Sequence, residues 1–188
     1  MPAAWIIVIV VLWVAVLALA VVVLGVLRQV SAALDRAAAH SGPIAPWQQG
    51  PRVGDLVPHF TGRDMAGKVV DDRGLRGQPA LLVFLREGCG PCHRLAQEMS
   101  ANDLSAISDK LIIVTNATNP GELDVPEGLR VVSESDNEVS TPLAVQATPF
   151  AIALDEGGFV RAANVPNTLA ELRSLAAVVS SAVADAAG

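Results

Sequence analysis

The sequence predicts an α/β domain with a mixed sheet flanked by helices, preceded by one N-terminal transmembrane helix. Three observations carry this. The run from Ala3 to Leu27 holds no charged residue. Two short apolar runs, Pro79–Leu85 and Leu111–Thr115, enclose a helical stripe at Cys92, Leu95, Ala96 and Met99. Further on, Phe150–Leu154 and Phe159–Ala163 flank Asp155-Glu156-Gly157-Gly158, which reads as a hairpin.

The chain has 188 residues, 52% hydrophobic, 4% aromatic and 17% charged, with a mean hydropathy of +0.45. That average is too high for an ordinary soluble domain and too low for a multi-span membrane protein, so one very apolar segment is joined to an ordinary domain. The net charge of −6 argues against nucleic acid or an anionic membrane surface as the main partner. Four Phe, three Trp and no Tyr leave little surface for stacking on bases.

The apolar run is long enough, at about 1.5 Å per helical residue, to cross a hydrocarbon core of about 30 Å. Trp5 suits one headgroup region and Arg28 closes the other end. The run exceeds a signal-peptide core and has no basic stretch before it, so an uncleaved anchor is expected over residues 1–28. Residues 29–53 then form an Ala-rich juxtamembrane helix and a linker dense in Pro and Gly. The globular domain is expected over residues 54–188. Arg28 and Arg36 follow the span, and the positive-inside rule by itself would put the domain in the cytoplasm.

Within the domain, Pro79–Leu85 and Leu111–Thr115 read as buried strands, and Leu129–Val132 as a third. The stripe from Cys92 to Met99 makes the intervening segment a helix with one buried face. After the hairpin, Asn167-Thr168 opens a last helix, with Thr168 and Glu171 at capping-box spacing. Its apolar stripe is Leu169, Leu172, Ala176, Val179 and Val183. This order predicts helices on both faces of the sheet.

Two cysteines cannot staple a scaffold, so their spacing matters. Cys89-Gly90-Pro91-Cys92 stands where a strand passes into a helix. A thiol there meets unpaired N–H groups and the positive end of the helix dipole, which favour thiolate. Cys89, on the exposed turn, is placed to attack a disulfide. Cys92, one turn along and more covered, is placed to resolve the mixed disulfide. Pro91 fits the first helical turn, which needs no N–H from it.

Other readings compete. A zinc site needs two further ligands, and no second cysteine pair exists. Inert core cysteines sit badly with Gly-Pro between them. Cys89-Gly90-Pro91-Cys92-His93 also matches the C-x-x-C-H pattern of covalent c-type haem, with Met99 or Met65 as a conceivable sixth ligand. The all-apolar strand leading into the motif and the strand-rich remainder favour thiol chemistry, with no metal and no cofactor.

Strand, CGPC and helix, followed by Ala147-Thr148-Pro149-Phe150 ahead of a hairpin, resemble the thioredoxin fold. Gly54-Asp55, Val57-Pro58-His59-Phe60 and Gly67 to Val70 resemble the opening hairpin of the redoxin branch. The N-terminal span, Arg28-Gln29-Val30 and the Pro-rich linker are similar to membrane-anchored thiol–disulfide proteins of the methylamine-utilisation type. The likeness covers essentially the whole chain. It implies a thioredoxin-like fold in which Pro149 is a cis-proline facing the cysteines. Thr148, Pro149, Gly90 and Pro91 would then bind the client, with the Thr148 backbone pairing with an extended client strand. Two departures stand out. Gly88 occupies the position where a Trp usually precedes the motif, and no buried acid is evident in Pro79–Leu85 to take the proton of Cys92; Glu87 lies nearby in sequence. A peroxidase pattern would need Pro at Leu82 and Thr or Ser at Arg86.

The resemblance implies a membrane-tethered thiol–disulfide oxidoreductase with its domain outside the cytoplasm, where disulfides persist. This outweighs the bias of two arginines. Its partners would be client proteins with cysteines or disulfides, a membrane or extracytoplasmic electron-transfer partner, and the lipid bilayer through residues 3–27. A methylamine-dehydrogenase-like enzyme or apocytochromes are the clients the likeness suggests. A non-catalytic assembly subunit that keeps the disulfide for structure is the alternative class.

Overall fold

The computed structural model describes Leu12, Trp13 and residues 49–186. The expected anchor over residues 1–28 and most of the expected linker lie outside the described residues, save Leu12, Trp13 and the linker's last positions. Among the described residues no helix is long and apolar enough to cross a membrane. The chain divides between Ile44 and Ala45 into two units, and the second carries the sheet and both of its helices.

The elements are β1 Thr61–Asp64, β2 Val69–Asp71, β3 Ala80–Leu85, α1 Gly90–Ala101, β4 Leu111–Thr115, β5 Arg130–Ser133, β6 Phe150–Leu154, β7 Val160–Asn164 and α2 Leu169–Ala186. A short 3₁₀ turn, Pro120–Leu123, stands between β4 and β5. The strands form one sheet in the order β2-β1-β5-β4-β3-β6-β7. β3 lies well inside it, parallel to β4 from Leu81↔Leu111 to Leu85↔Thr115 and antiparallel to β6 from Ala80↔Leu154 to Phe84↔Phe150. β3, β4 and β6 are buried along their whole length, which is why each reads as a continuous apolar run.

The pleat of β3 divides the core. Leu81, Val83 and Leu85 pack with Cys92, Leu95 and Met99 of α1 and with Leu169, Leu172 and Ala176 of α2. Leu82 and Phe84 face the other way, among Phe60, Ile112, Val114, Leu143 and Phe150. Both described helices therefore lie on one face, and the expectation of helices on both is corrected. The second face is covered by turns, including residues 134–147, where Asn137 and Ala144 take positive φ of 56° and 52° that a helix does not accommodate.

The ends of α2 and α1 are tied together. The Glu171 N–H donates to Thr168 Oγ1 at 3.3 Å, as the capping spacing predicts. The Glu171 carboxylate reaches one residue further back than expected and accepts from the Asn167 N–H at 2.7 Å. Glu98, on α1, accepts from the Leu169 N–H at 2.7 Å, placing an anion at the start of α2.

Candidate active site at the Cys89–Cys92 pair

The site is built where β3 ends. The Cys89 N–H closes a turn onto the Arg86 carbonyl at 3.2 Å, and Cys89 is the N-cap of α1 with φ −90° and ψ 102°. Cap residues have this extended backbone because the side chain must swing back over the first turn. Here the side chain is a sulfur, and Cys89 Sγ accepts the Cys92 N–H at 3.2 Å. Pro91 sits in that first turn, where its missing N–H costs nothing.

Cys89 and Cys92 are joined in a disulfide with a Cα–Cα distance of 5.2 Å. The two sulfurs are unequal in access. Cys92 is 0% exposed and packs with Leu95, Ala96 and Met99, whereas Cys89 is half-buried. A reagent arriving from solvent therefore meets Cys89. His93 is a half-buried first-turn residue whose N–H donates to the Cys89 carbonyl at 3.1 Å.

Thr148 and Pro149 come to the same place from a different part of the chain. Their peptide bond is cis, and the Thr148 carbonyl oxygen lies 3.4 Å from Cys89 Sγ. In the disulfide that sulfur carries no proton, so this is a close contact; a Cys89 thiol has the same carbonyl as its acceptor. Thr148 is half-buried, Pro149 is buried, and Gly90 and Pro91 are exposed between the cysteines. The structure thus brings Cys89, Cys92, Gly90, Pro91, Thr148 and Pro149 together.

Gly88 has a φ of +74°, in the left-handed region. A Trp there would be strained, which gives the missing aromatic a backbone reason. Glu87 is exposed, and its N–H is bonded to Asn116 Oδ1 at 3.1 Å. The buried carboxylate at this end of the sheet is Glu134, which nothing in the sequence pattern singles out. Arg86 Nη2 meets Glu134 Oε1 at 3.2 Å and Asn137 Oδ1 at 2.6 Å. Glu134 Oε2 also accepts the Val139 and Ser140 N–H groups at 3.1 and 2.9 Å. This network fixes the residue whose carbonyl holds the Cys89 turn.

The last positions of the expected linker also belong to the folded unit. Gln49 is 6% exposed and bonds to Gln146 and Ala147, and the Gly50 N–H donates to the Ala144 carbonyl at 3.0 Å. Nothing in a Pro/Gly-rich stretch signals such a contact.

No family model matches the chain. A methylamine utilization protein MauD from Methylophilus methylotrophus is 31% identical over 175 residues, covering 88% of this chain and 80% of its own. The MauD protein of Methylorubrum extorquens is 30% identical over 175 residues, covering 88% of this chain and 82% of its own. A thiol:disulfide interchange protein from Bacteroides sp., solved in solution, superposes with a TM-score of 0.55 at 19% identity. That match covers 69% of this chain and 91% of the other, and it places the domain in the thioredoxin-like fold.

Proposed function

The chain belongs to the MauD family of methylamine utilization proteins, and from that premise we propose that it is a membrane-tethered thiol–disulfide oxidoreductase acting on cysteines of extracytoplasmic clients. The observation that carries the reading is the unequal cysteine pair: an accessible Cys89 capping α1, a covered Cys92 behind it, and the Thr148 carbonyl 3.4 Å from Cys89 Sγ.

The chemistry follows from that inequality. In the reduced protein the Cys89 thiolate, favoured by the Cys92 N–H and the helix terminus, attacks one sulfur of a client disulfide. The client's other sulfur leaves as a thiolate. The Cys92 thiolate then attacks Cys89 Sγ, forms the Cys89–Cys92 disulfide and releases the second client thiolate. The client gains two electrons and the protein loses two. In the opposite direction a client thiolate attacks Cys89 Sγ and expels the Cys92 thiolate, because Cys92 Sγ is covered. An extended client segment lies along Thr148, where its backbone pairs with the loop and its sulfur reaches Cys89.

A span over residues 3–27 would hold the domain at the bilayer surface, and a domain outside the cytoplasm places the disulfide where it persists. The clients we favour are cysteines of a methylamine-dehydrogenase-like enzyme, with apocytochromes next. Disulfide exchange between the full chain and a peptide dithiol tests the reading: Cys89→Ser should abolish turnover. Undiminished turnover in Cys89→Ser and Cys92→Ser alike would refute it, and unchanged complementation by the Cys89→Ser/Cys92→Ser double variant would favour an assembly subunit instead. Labelling an engineered surface cysteine with an impermeant reagent on whole cells tests the compartment, and protection until lysis would refute it.

A further inference from the structure

Thr148 can serve Cys89 only if the segment before it is held still. Residues 144–147 belong to no strand. Their backbone is held instead by one side chain from a part of the sequence about a hundred residues away. Gln49 Oε1 accepts the Gln146 N–H at 3.0 Å and the Ala147 N–H at 2.7 Å, while Gln49 Nε2 donates to the Ala147 carbonyl at 3.3 Å. One carboxamide thus satisfies both polar groups of the Ala147 backbone, as a neighbouring strand would. The side chain is nearly buried at 6% exposure, so water competes poorly for these bonds. Next to it, the Gly50 N–H holds the Ala144 carbonyl at 3.0 Å. The following residue of the clamped segment is Thr148, whose carbonyl lies 3.4 Å from Cys89 Sγ.

We propose that Gln49 is a positioning residue for disulfide exchange: its carboxamide holds Gln146 and Ala147 so that Thr148 presents its backbone to the client beside Cys89. This rests on the functional reading above and adds to it a residue outside the motif. Gln49 touches neither sulfur nor client. It acts through the loop, on client alignment, and leaves the Cys92 N–H contact to Cys89 Sγ at the start of α1 in place. A residue ahead of the first strand therefore also sets the client-binding edge.

The test uses the full chain with Gln49→Ala and Gln49→Glu. The glutamate keeps an acceptor for the two N–H groups, loses the donor, and sets a carboxylate against the Ala147 carbonyl. With a peptide disulfide as client, loss of the clamp should raise KM about tenfold in Gln49→Ala, in line with the loss of three hydrogen bonds of modest net strength. Alkylation of the reduced Cys89 by iodoacetamide should stay within about twofold of wild type at every pH, since the helix terminus is untouched. Amide hydrogen exchange at Gln146 and Ala147 should be slow in the wild type, fast in Gln49→Ala and intermediate in Gln49→Glu. An unchanged KM would overturn the proposal. So would rapid exchange of both amides in the wild type, or alkylation and peptide turnover falling together. Should the wild type itself exchange no disulfide, the functional reading falls, and the proposal with it. Wild-type turnover matched by Gln49→Ala removes the proposal alone.

Discussion

Replacing Gly50 with alanine should be far costlier than the loss of one glycine suggests. Gly50 has a φ of +83°, and a Cβ built there would meet Phe150 Cε1 at 2.6 Å and Cζ at 2.7 Å. Phe150 is 1% exposed, on the buried β6 strand and next to Pro149, so its ring has no free space to enter. The backbone strain is about 1 kcal/mol after the entropy gain from removing a glycine. Overpacking against a fixed ring adds about 1–3 kcal/mol. The sum is about 2–4 kcal/mol. Gly88→Ala is the control, because Gly88 has a φ of +74° with nothing within 4 Å of its built Cβ. It should cost about 1 kcal/mol. For a domain of this size each kcal/mol lowers Tm by about 3–4 °C, so the expected losses are about 6–16 °C and about 3–4 °C. Thermal and urea denaturation of the oxidised chain would measure both. A Phe150→Leu background shortens the ring edge, and there Gly50→Ala should fall to the Gly88→Ala cost. Equal losses for the two alanines, or a Gly50→Ala cost that Phe150→Leu leaves unchanged, would refute the reasoning.

Removing Arg86 should destabilise the domain by about 2–3 kcal/mol, because the Glu134 side chain is 2% exposed and would lose its partner cation; urea denaturation of Arg86→Ala checks this, and a loss under about 0.5 kcal/mol would show the pair to be dispensable. Acid should weaken the β6–β7 hairpin in a defined window. Burial pushes the Asp155 carboxyl up, but the Phe159 N–H, the Arg161 side chain and the Gly157 N–H outweigh it and hold its pKa below the ordinary aspartate range. The carboxylate thus contributes fully above about pH 4 and loses its contribution as pH falls through the lowered folded value. Asp155→Asn should therefore be less stable than wild type at neutral pH, with the difference shrinking in strong acid; a constant difference would contradict the assignment.

Much of the site was legible because its parts are local. Cys92, Leu95, Ala96 and Met99 recur at helical spacing, and they are the four residues that α1 buries. The runs behind β3 and β6, and β4 up to Thr115, are apolar because both faces of the central sheet are covered. Cys89-Gly90-Pro91-Cys92 sits at the strand–helix junction that the neighbouring patterns implied. What escaped was non-local. Arg86 and Glu134 are separated by 48 positions, and Gln49 and Ala147 by 98. No periodicity links such pairs, and a buried glutamate reads in sequence like a solvated one. The turn-built cover over Leu82 and Phe84 was hidden for a related reason: Val139, Leu143 and Val145 are buried at irregular spacing, so they trace neither a helical nor a strand stripe.

The division of labour between the cysteines is tested most directly by trapping. The reduced full-length Cys92→Ser chain would be mixed with a peptide disulfide, quenched with acid and mapped by mass spectrometry. The expected result is a stable adduct on Cys89 that free dithiol releases, and no adduct on the Cys89→Ser chain, whose remaining Cys92 is 0% exposed. An adduct on Cys92 at a comparable rate, or none on Cys89, would contradict it.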